Sequence, residues 1–375
     1  MSQPEAPDGR DMTPAVGSPG GPASWAPADP DGHVALHVGE WRDGRWSYLY
    51  GPDTEYGADV EAGEVARAAV RARTGELPDG LVGPMMKPPV WTWEIPLYFW
   101  FGGIAAGSSF VALACDLAGD HRSAALARRV SLAALAPSPP LLVMDLGRPE
   151  RFVNMLRIFK PRSPMSMGAW CLSVFGTLGA GAVAADLLGR PRTGRALGGA
   201  NAVVGGYLGS YTGVLLAATA VPVWARSRLF LGPIFVSTAT ATGAAATRLV
   251  LVATGLPHGH PTYEALGRVE SGAMAAELAL STINERRLGR LRPALAQGRG
   301  GRLFRAAKWG VRAGLATRLA GRRGGPWPHH VASVLYLAAG LAFRYAWVDA
   351  GRHSAGDDEA VARTARARAT AGEPR

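Results

Sequence analysis

Hydrophobic residues are segregated along the chain into long stretches, and polar residues fill the shorter segments between them. Residues 95–117 carry one charged side chain, Asp116, and at about 1.5 Å per residue a helix of this length crosses about 30 Å of hydrocarbon. Five further stretches have the same character: residues 124–144, 164–188, 196–225, 229–254 and 331–348. The pattern predicts an all-α polytopic membrane protein.

Two more segments allow two interpretations. Residues 263–283 mix glutamate and arginine with Ala and Leu, which fits a spanning helix inside a bundle or a surface helix. Residues 303–319 are strongly basic and fit an amphipathic interfacial helix at least as well as a span. Counting both, the sequence predicts a bundle of about eight transmembrane helices.

The segments outside the apolar region differ in composition. Residues 1–32 are rich in Pro, Gly and Asp, which is typical of disorder, and they show no signal-peptide pattern. An aromatic docking segment with a short helix at 60–73 is expected next, and the alternative is a disordered tail that holds a few aromatic residues. The predicted domains are therefore an N-terminal extension (1–89), a transmembrane bundle (90–353) and a charged C-terminal tail (354–375).

Composition and charge narrow the function classes. Charged residues make up 18% of the chain, against about 25% in an average soluble domain. The net charge is +11, but residues 284–325 alone hold twelve Lys/Arg against one Glu, so the rest of the chain is neutral. We therefore expect no nucleic-acid partner. The same basic segment, taken as a loop, favours a cytoplasmic location for that end of the bundle.

Resident metal centres are not expected. The two cysteines, Cys115 and Cys171, cannot by themselves ligate an iron-sulfur cluster or a structural zinc. None of the eight histidines lies centrally in an apolar stretch, so a haem held between two helix histidines is not expected either.

The most informative motif is the run Asp-Leu-Gly-Arg-Pro-Glu-Arg-Phe at residues 145–152, followed by Ser-Pro-Met-Ser at 163–166. Three other short motifs occur along the chain: Trp-Thr-Trp-Glu at 91–94, Tyr-Thr-Gly at 211–213 and Asp-Ala-Gly-Arg at 349–352. In these motifs and their order, over roughly residues 90–358, the chain resembles the NrfD/polysulfide reductase membrane-subunit family.

The resemblance implies a multi-pass subunit of the cell membrane. Such a subunit binds menaquinone or ubiquinone as an exchangeable ligand and passes electrons between the quinone pool and a ferredoxin-like iron-sulfur subunit. The iron-sulfur clusters would belong to that partner alone, and a molybdopterin or cytochrome subunit is a further candidate partner. No turnover is expected from the isolated chain.

The family pattern also suggests site residues. Quinone chemistry moves protons with electrons, so a site needs hydrogen-bond donors to the carbonyl oxygens and a carboxylate that exchanges protons. Asp145, Tyr211 and Glu94 are the predicted catalytic residues, and the predicted quinone-binding residues are Tyr98, Asp145, Arg148 and Tyr211. Arg151 and Asn154 are predicted to dock the partner. The alternative is that the arginines anchor at lipid headgroups and Asp145 pairs with one of them.

Four ionisable residues fall deeper in the predicted bundle: Arg248, Glu270, Glu277 and Arg344. Charges are costly in hydrocarbon, so such residues are functional candidates. They form either a proton path through the second half of the bundle or Arg–Glu pairs that hold helices together.

Two rival functions remain open from the sequence. A secondary transporter would explain the Pro-interrupted segment at residues 136–140 and the buried charges, although no internal repeat is visible. A membrane anchor without a working quinone site would keep the partner but not the ligand.

Overall fold

The computed structural model describes residues 86–145, 152–321, 325–358, 360, 361 and 364, and every regular element within these ranges is helical. Residues 88–355 form one compact unit. The expected disorder at 1–32 and helix at 60–73 lie outside the described residues and stay predictions, as do the domain boundaries.

The helices follow one another with short connections. The first are α1 (Glu94–Leu117), α2 (His121–Leu135), α3 (Ser138–Asp145), α4 (Phe152–Arg157), α5 (Pro164–Leu187), α6 (Pro191–Ala217) and α7 (Pro222–Arg226). The others are α8 (Arg228–Ala253), α9 (Pro261–Leu288), α10 (Pro293–Ala296), α11 (Gly298–Ala320) and α12 (Trp327–Ala355), with a 3₁₀ turn at Gly289–Leu291.

The long helices run back and forth between two ends of the bundle. We call one end the Glu94 face, since α1 begins there, and the other the Asp120 face, after the turn between α1 and α2. The ends of α3, α6 and α9 and the starts of α5, α8 and α11 lie at the Glu94 face. The turn between α8 and α9 and the start of α12 lie at the Asp120 face, where the α9 residue Thr262 donates a hydrogen bond to Asp120 (2.5 Å).

Prolines and side-chain caps set the helix boundaries. Pro164 and Pro261 lie in the first turns of α5 and α9, where a missing N–H costs nothing. Asp120 caps α2 by accepting a hydrogen bond from the backbone N–H of Ser123 (3.1 Å). The stretch 124–144, predicted as one span, is divided into α2 and α3 because three prolines follow Ala136 within four residues.

By length and composition, four described helices are able to cross a membrane: α1, α5, α8 and α12. The apolar stretches 124–144 and 196–225 are not among them. The first is broken by its prolines. Helix α6 runs from Pro191 to Ala217, so it includes Arg192 and Arg195 at its start and leaves out the apolar residues 218–225. The basic stretch before the last span is not a loop, since α11 occupies most of it and packs along α12.

Helix α8 contacts four of the other long helices of the bundle. It packs against α1 and α6 on one side and against α9 and α12 on the other. At its crossing with α1 the two backbones touch: a Cβ on Gly107 would lie 1.9 Å from the carbonyl oxygen of Ala239, and one on Gly243 would lie 2.3 Å from the carbonyl carbon of Gly107. Small residues allow such close approach of membrane helices.

Candidate functional site

Two buried tyrosines from different helices meet near the Glu94 face. Tyr98 of α1 is 4% exposed and Tyr211 of α6 is 3% exposed. The two phenols are close enough to interact electrostatically with each other and with Cys171 of α5. The ring of Tyr207, one helical turn before Tyr211, lies 5.8 Å from it between centroids. Helices α1, α5 and α6 thus enclose a small aromatic cluster with hydroxyl groups.

A glycine positions Tyr211. A Cβ on Gly168, in the second turn of α5, would lie 2.0 Å from Cζ and 2.1 Å from the hydroxyl oxygen of Tyr211. The phenol therefore lies directly against the α5 backbone, and a larger residue at position 168 would displace the Tyr211 ring. Ser163 caps this end of α5 by accepting a hydrogen bond from the N–H of Ser166 (3.4 Å).

Two carboxylates flank the same end of the bundle. Glu94 is the first residue of α1 and Asp145 the last of α3, and both are half-buried. Their negative charges repel each other across the gap between the two helices. The Thr92 hydroxyl donates a hydrogen bond to Glu94, and the Tyr345 hydroxyl of α12 donates one to the neighbouring carbonyl of Trp93 (3.0 Å). The predicted acids are therefore adjacent.

The other residues predicted from the 145–157 motif are only partly covered. Arg148 and Arg151 lie outside the described residues, so their roles stay predictions. Asn154 lies on α4 and is exposed, next to the exposed apolar side chain of Val153. Its predicted role in docking a partner is compatible with this position and is not tested by it.

The four deeper ionisable residues fall into two groups along α9. The first is near the Asp120 face, where Arg248 of α8 and Glu270 of α9 are fully buried and Arg248 Nε lies 3.8 Å from Glu270 Oε1. Arg248 Nη1 donates hydrogen bonds to the carbonyl oxygen of His329 (2.8 Å) and to Ser333 Oγ (2.7 Å). Ser333 and Arg318 both donate to Glu270.

The second group lies two turns further along α9, about 10 Å away. Glu277 is 3% exposed and interacts electrostatically with Arg344 of α12 and Lys308 of α11. The Arg344 guanidinium lies over the ring of Phe235 (3.9 Å), and its Nη2 donates to the Phe235 carbonyl oxygen (3.2 Å). A cavity of about 10 Å³ beside Glu277 has room for about one water molecule.

Arg344 connects the two halves of the bundle. A Cβ on Gly103 of α1 would lie 3.3 Å from Arg344 Nη2, and Gly103 is five residues after Tyr98. The second charged group therefore extends to the helix that carries one of the two buried phenols.

A family model supplies the comparison that decides the class of protein. The model described as polysulphide reductase, NrfD, matches residues 82–283, which is more than half of the chain. The chain belongs to the NrfD family. A comparison with curated proteins finds no match.

As an NrfD protein, the chain is an integral membrane subunit that works with other subunits of an oxidoreductase complex. The match includes the tyrosine cluster, both carboxylates at the Glu94 face, and the α8 and α9 residues of the charged groups. Arg318 and Arg344 lie beyond it.

Sequence reasoning missed two arginines of this NrfD chain. Arg318 completes the first charged group, although the sequence alone allows residues 303–319 to form either an amphipathic interfacial helix or a span. Arg128 of α2 is 4% exposed and bridges Asp116 of α1 (2.5 Å) and Asp186 of α5 (2.7 Å). The signal was an ionisable residue near the C-terminal end of the first and third apolar stretches and near the N-terminal end of the second, which places them together because the helices alternate in direction.

Asp120 is a third polar feature of the Asp120 face that the sequence did not reveal. Burial raises the pKa of its carboxyl, but the hydrogen bonds from Ser123 and Thr262 outweigh that effect, and the net direction is downward. Asp120 thus joins α2 to the start of α9 through a charged acceptor.

Proposed function

We propose that the cluster of Tyr98 and Tyr211 binds the headgroup of a menaquinone or ubiquinone, and that the subunit passes electrons between the quinone pool and an iron-sulfur partner. One observation carries the proposal: two buried phenols from different helices lie at the end of the bundle that also holds Glu94 and Asp145. A quinone needs donors to its carbonyl oxygens and a nearby proton-exchanging acid, so these residues fit the group.

When bound, the quinone supplies two-electron redox chemistry, which no side chain here can provide. The chain's own residues bind and orient it. The phenol hydroxyls donate hydrogen bonds to carbonyl oxygens, and Gly168 leaves the space that the Tyr211 ring occupies. Asp145 and Glu94, half-buried at the helix ends, hold or release the protons that accompany electron transfer.

Quinone binding and turnover test this site. In the complex purified from native membranes, we expect Tyr211→Phe and Asp145→Asn to lower quinol turnover by about 10²-fold or more, as loss of an acid–base group typically does. Tyr336→Phe removes a hydroxyl from a buried tyrosine in the other half of the bundle and should leave quinone affinity unchanged. Normal quinone affinity and turnover in both site variants would contradict this site, and a complex with no quinone affinity even in the wild type would favour the membrane-anchor function.

The partner is proposed to dock at the Glu94 face next to α4. Val153, Ile158 and Phe159 are large apolar side chains and are 55–60% exposed there, beside the exposed Asn154. Exposed apolar patches rimmed by polar residues mark interaction sites. Pull-down in mild detergent with iron, molybdenum and quinone analysis should recover a ferredoxin-like iron-sulfur subunit, and Phe159→Asp should reduce that recovery. Recovery of the chain alone, free of iron, would contradict the proposal.

We also propose that the two charged groups form a proton path. The support is their position: Glu270 and Glu277 are buried on one helix, and the second group extends by Arg344 to the helix of Tyr98. In proteoliposomes containing the complex, Glu277→Gln should lower the number of protons taken up per electron, whereas Glu285→Gln, at the outer Lys308 pair, should not. An unchanged ratio together with lower thermal stability would favour the alternative that these charges only hold helices together.

A further inference from the structure

The first charged group borders a cavity that the proposed quinone site and proton path do not explain. Its volume is about 550 Å³, within the usual range of ligand sites. Its walls come from α8, α9, α11 and the start of α12. The lining residues include Arg248, Tyr263, Arg268, Ser271, Leu315 and Arg318.

The cavity contains buried donors that have no acceptor. Arg248 is fully buried, yet its Nε and Nη2 atoms form no hydrogen bond within the described residues. The same is true of Arg318 Nε among the residues that the structure covers. Tyr263 differs, because its ring lies 3.9 Å from the Arg248 guanidinium and the two side chains interact directly. Leaving buried donors unsatisfied is costly, and more so when they are charged.

The charge of the group is also unbalanced. Two guanidinium groups, Arg248 and Arg318, share one carboxylate, Glu270, which leaves one excess positive charge in the interior. At the cavity wall, Glu264 and Arg268 offset each other. Water could satisfy the donors but would not remove the excess charge. A singly charged oxyanion would do both, because guanidinium groups bind phosphate and carboxylate oxygens through paired hydrogen bonds.

The depth of the cavity matches a phosphate group at the membrane surface. Arg318 and Leu319 lie in the last turn of α11, His329 in the first turn of α12, and Arg268 in the second turn of α9, all at the Asp120 face. Trp327 is 73% exposed beside them, as is typical of the membrane–water interface. Leu315 and Leu319 give the cavity an apolar side, and Leu319 is 62% exposed.

From these observations we propose that the cavity at the Asp120 face is a binding site for a singly charged phosphate group, held by Arg248 and Arg318 with the Tyr263 hydroxyl. The phosphodiester of a phospholipid and free inorganic phosphate share this chemistry. The proposal does not depend on quinone binding at the Glu94 face, so the two can fail separately.

The test uses the full chain in its complex, purified in detergent and delipidated. One arm adds phosphatidylglycerol in mixed micelles and follows retained lipid by native mass spectrometry. The other adds inorganic phosphate, with chloride at equal ionic strength as the reference, and follows the thermal midpoint Tm. Binding in the first arm identifies a lipid, and a concentration-dependent rise of Tm in the second arm alone identifies free phosphate.

Arg248→Gln removes a charged donor and should weaken binding roughly tenfold or more. Since that variant alters a buried ion pair and can fail to fold, Leu315→Trp provides a second test, because it fills the cavity without removing any charged side chain. Its control is Ala316→Trp, which places the same side chain at an exposed position one residue along α11. Loss of binding in Leu315→Trp but not in Ala316→Trp is the expected result. Wild-type protein that binds neither probe, or equal binding in both tryptophan variants, would overturn the proposal.

Discussion

The contact between α1 and α8 at Gly107 gives the sharpest test of the packing. In Gly107→Ala the new Cβ would lie 1.9 Å from the carbonyl oxygen of Ala239 and 2.7 Å from its carbon. An ordinary contact begins near 3.4 Å, so the oxygen is about 1.5 Å too close. Both atoms belong to the backbone, and no rotamer change relieves the overlap. The helices must separate.

Separating the two helices lowers the free energy of unfolding through two effects, and a third effect partly compensates. Overpacking of this kind costs about 1–3 kcal/mol. The crossing also holds hydrogen bonds from Ser108 Oγ to the Gly243 carbonyl oxygen (3.3 Å) and from Thr247 Oγ1 to Ser108 Oγ (3.2 Å), each worth about 0.6 kcal/mol in a membrane protein. Alanine regains about 1 kcal/mol of helix propensity over glycine. The net destabilisation is about 2 kcal/mol.

The assay is thermal unfolding of the purified protein in detergent. A domain of 150–250 residues shifts by about 2–4 °C per kcal/mol, and the larger unit at 88–355 should shift by about 2 °C per kcal/mol or less, so Tm should fall by up to about 4 °C. Gly102→Ala is the matched control, since no atom lies within 4 Å of a Cβ at that position and only the gain in helix propensity remains. The reasoning would be refuted if Gly107→Ala were as stable as Gly102→Ala.

Two further predictions concern the Asp120 face. Asp186→Ala leaves the buried Arg128 with one carboxylate fewer and should lower the free energy of unfolding by about 3 kcal/mol. The control is Arg129→Ala, at an exposed position on the same helix as Arg128, which should change the free energy of unfolding by less than about 0.5 kcal/mol. Equal effects of the two variants in denaturant titrations would contradict the argument from burial. The lowered pKa of Asp120 means that its charged form stabilises the fold above its ordinary value of 3.8 and that this contribution disappears as the pH falls below it. Wild type should therefore have a higher Tm than Asp120→Asn at pH 6, and the difference should close below about pH 4; a constant difference would show that the hydrogen bond from Thr262 does not depend on the charge.

Hydropathy was sufficient to place the most apolar helices. The predicted stretches at 95–117, 164–188 and 229–254 agree within a residue or so with α1, α5 and α8, because a long apolar run in a membrane protein has one stable solution. Hydropathy alone did not show the break that prolines cause in the second apolar stretch. The three prolines at 137–140 divide the second stretch into α2 and α3, although its hydropathy alone favours one span.

The sequence predicted those residues of the candidate site that belong to the family motifs, and it did not predict those that are brought in by helix packing. Tyr98, Tyr211, Glu94 and Asp145 were found from the family motif, and the structure brings the two phenols together and the two acids together near one face. Arg318 could not be assigned, because arginines recur along most of α11 and only the packing against α9 shows which of them faces a glutamate. The cavity beside it depends on four helices and has no local sequence pattern.

The interlocked backbones of α1 and α8 have a mechanical consequence. Alternating access in a transporter relies on one bundle rocking against the other around a central site. Here α1 and α8 touch through the backbones of Gly107 and Gly243, so any motion that brings these two helices closer together is blocked at this crossing. Electron transfer through a redox subunit instead requires a constant distance between the electron donor and the electron acceptor. The crossing at Gly107 and Gly243 fixes how closely α1 and α8 approach, and this would help to keep a tunnelling distance constant if the proposed quinone site exchanges electrons with a partner.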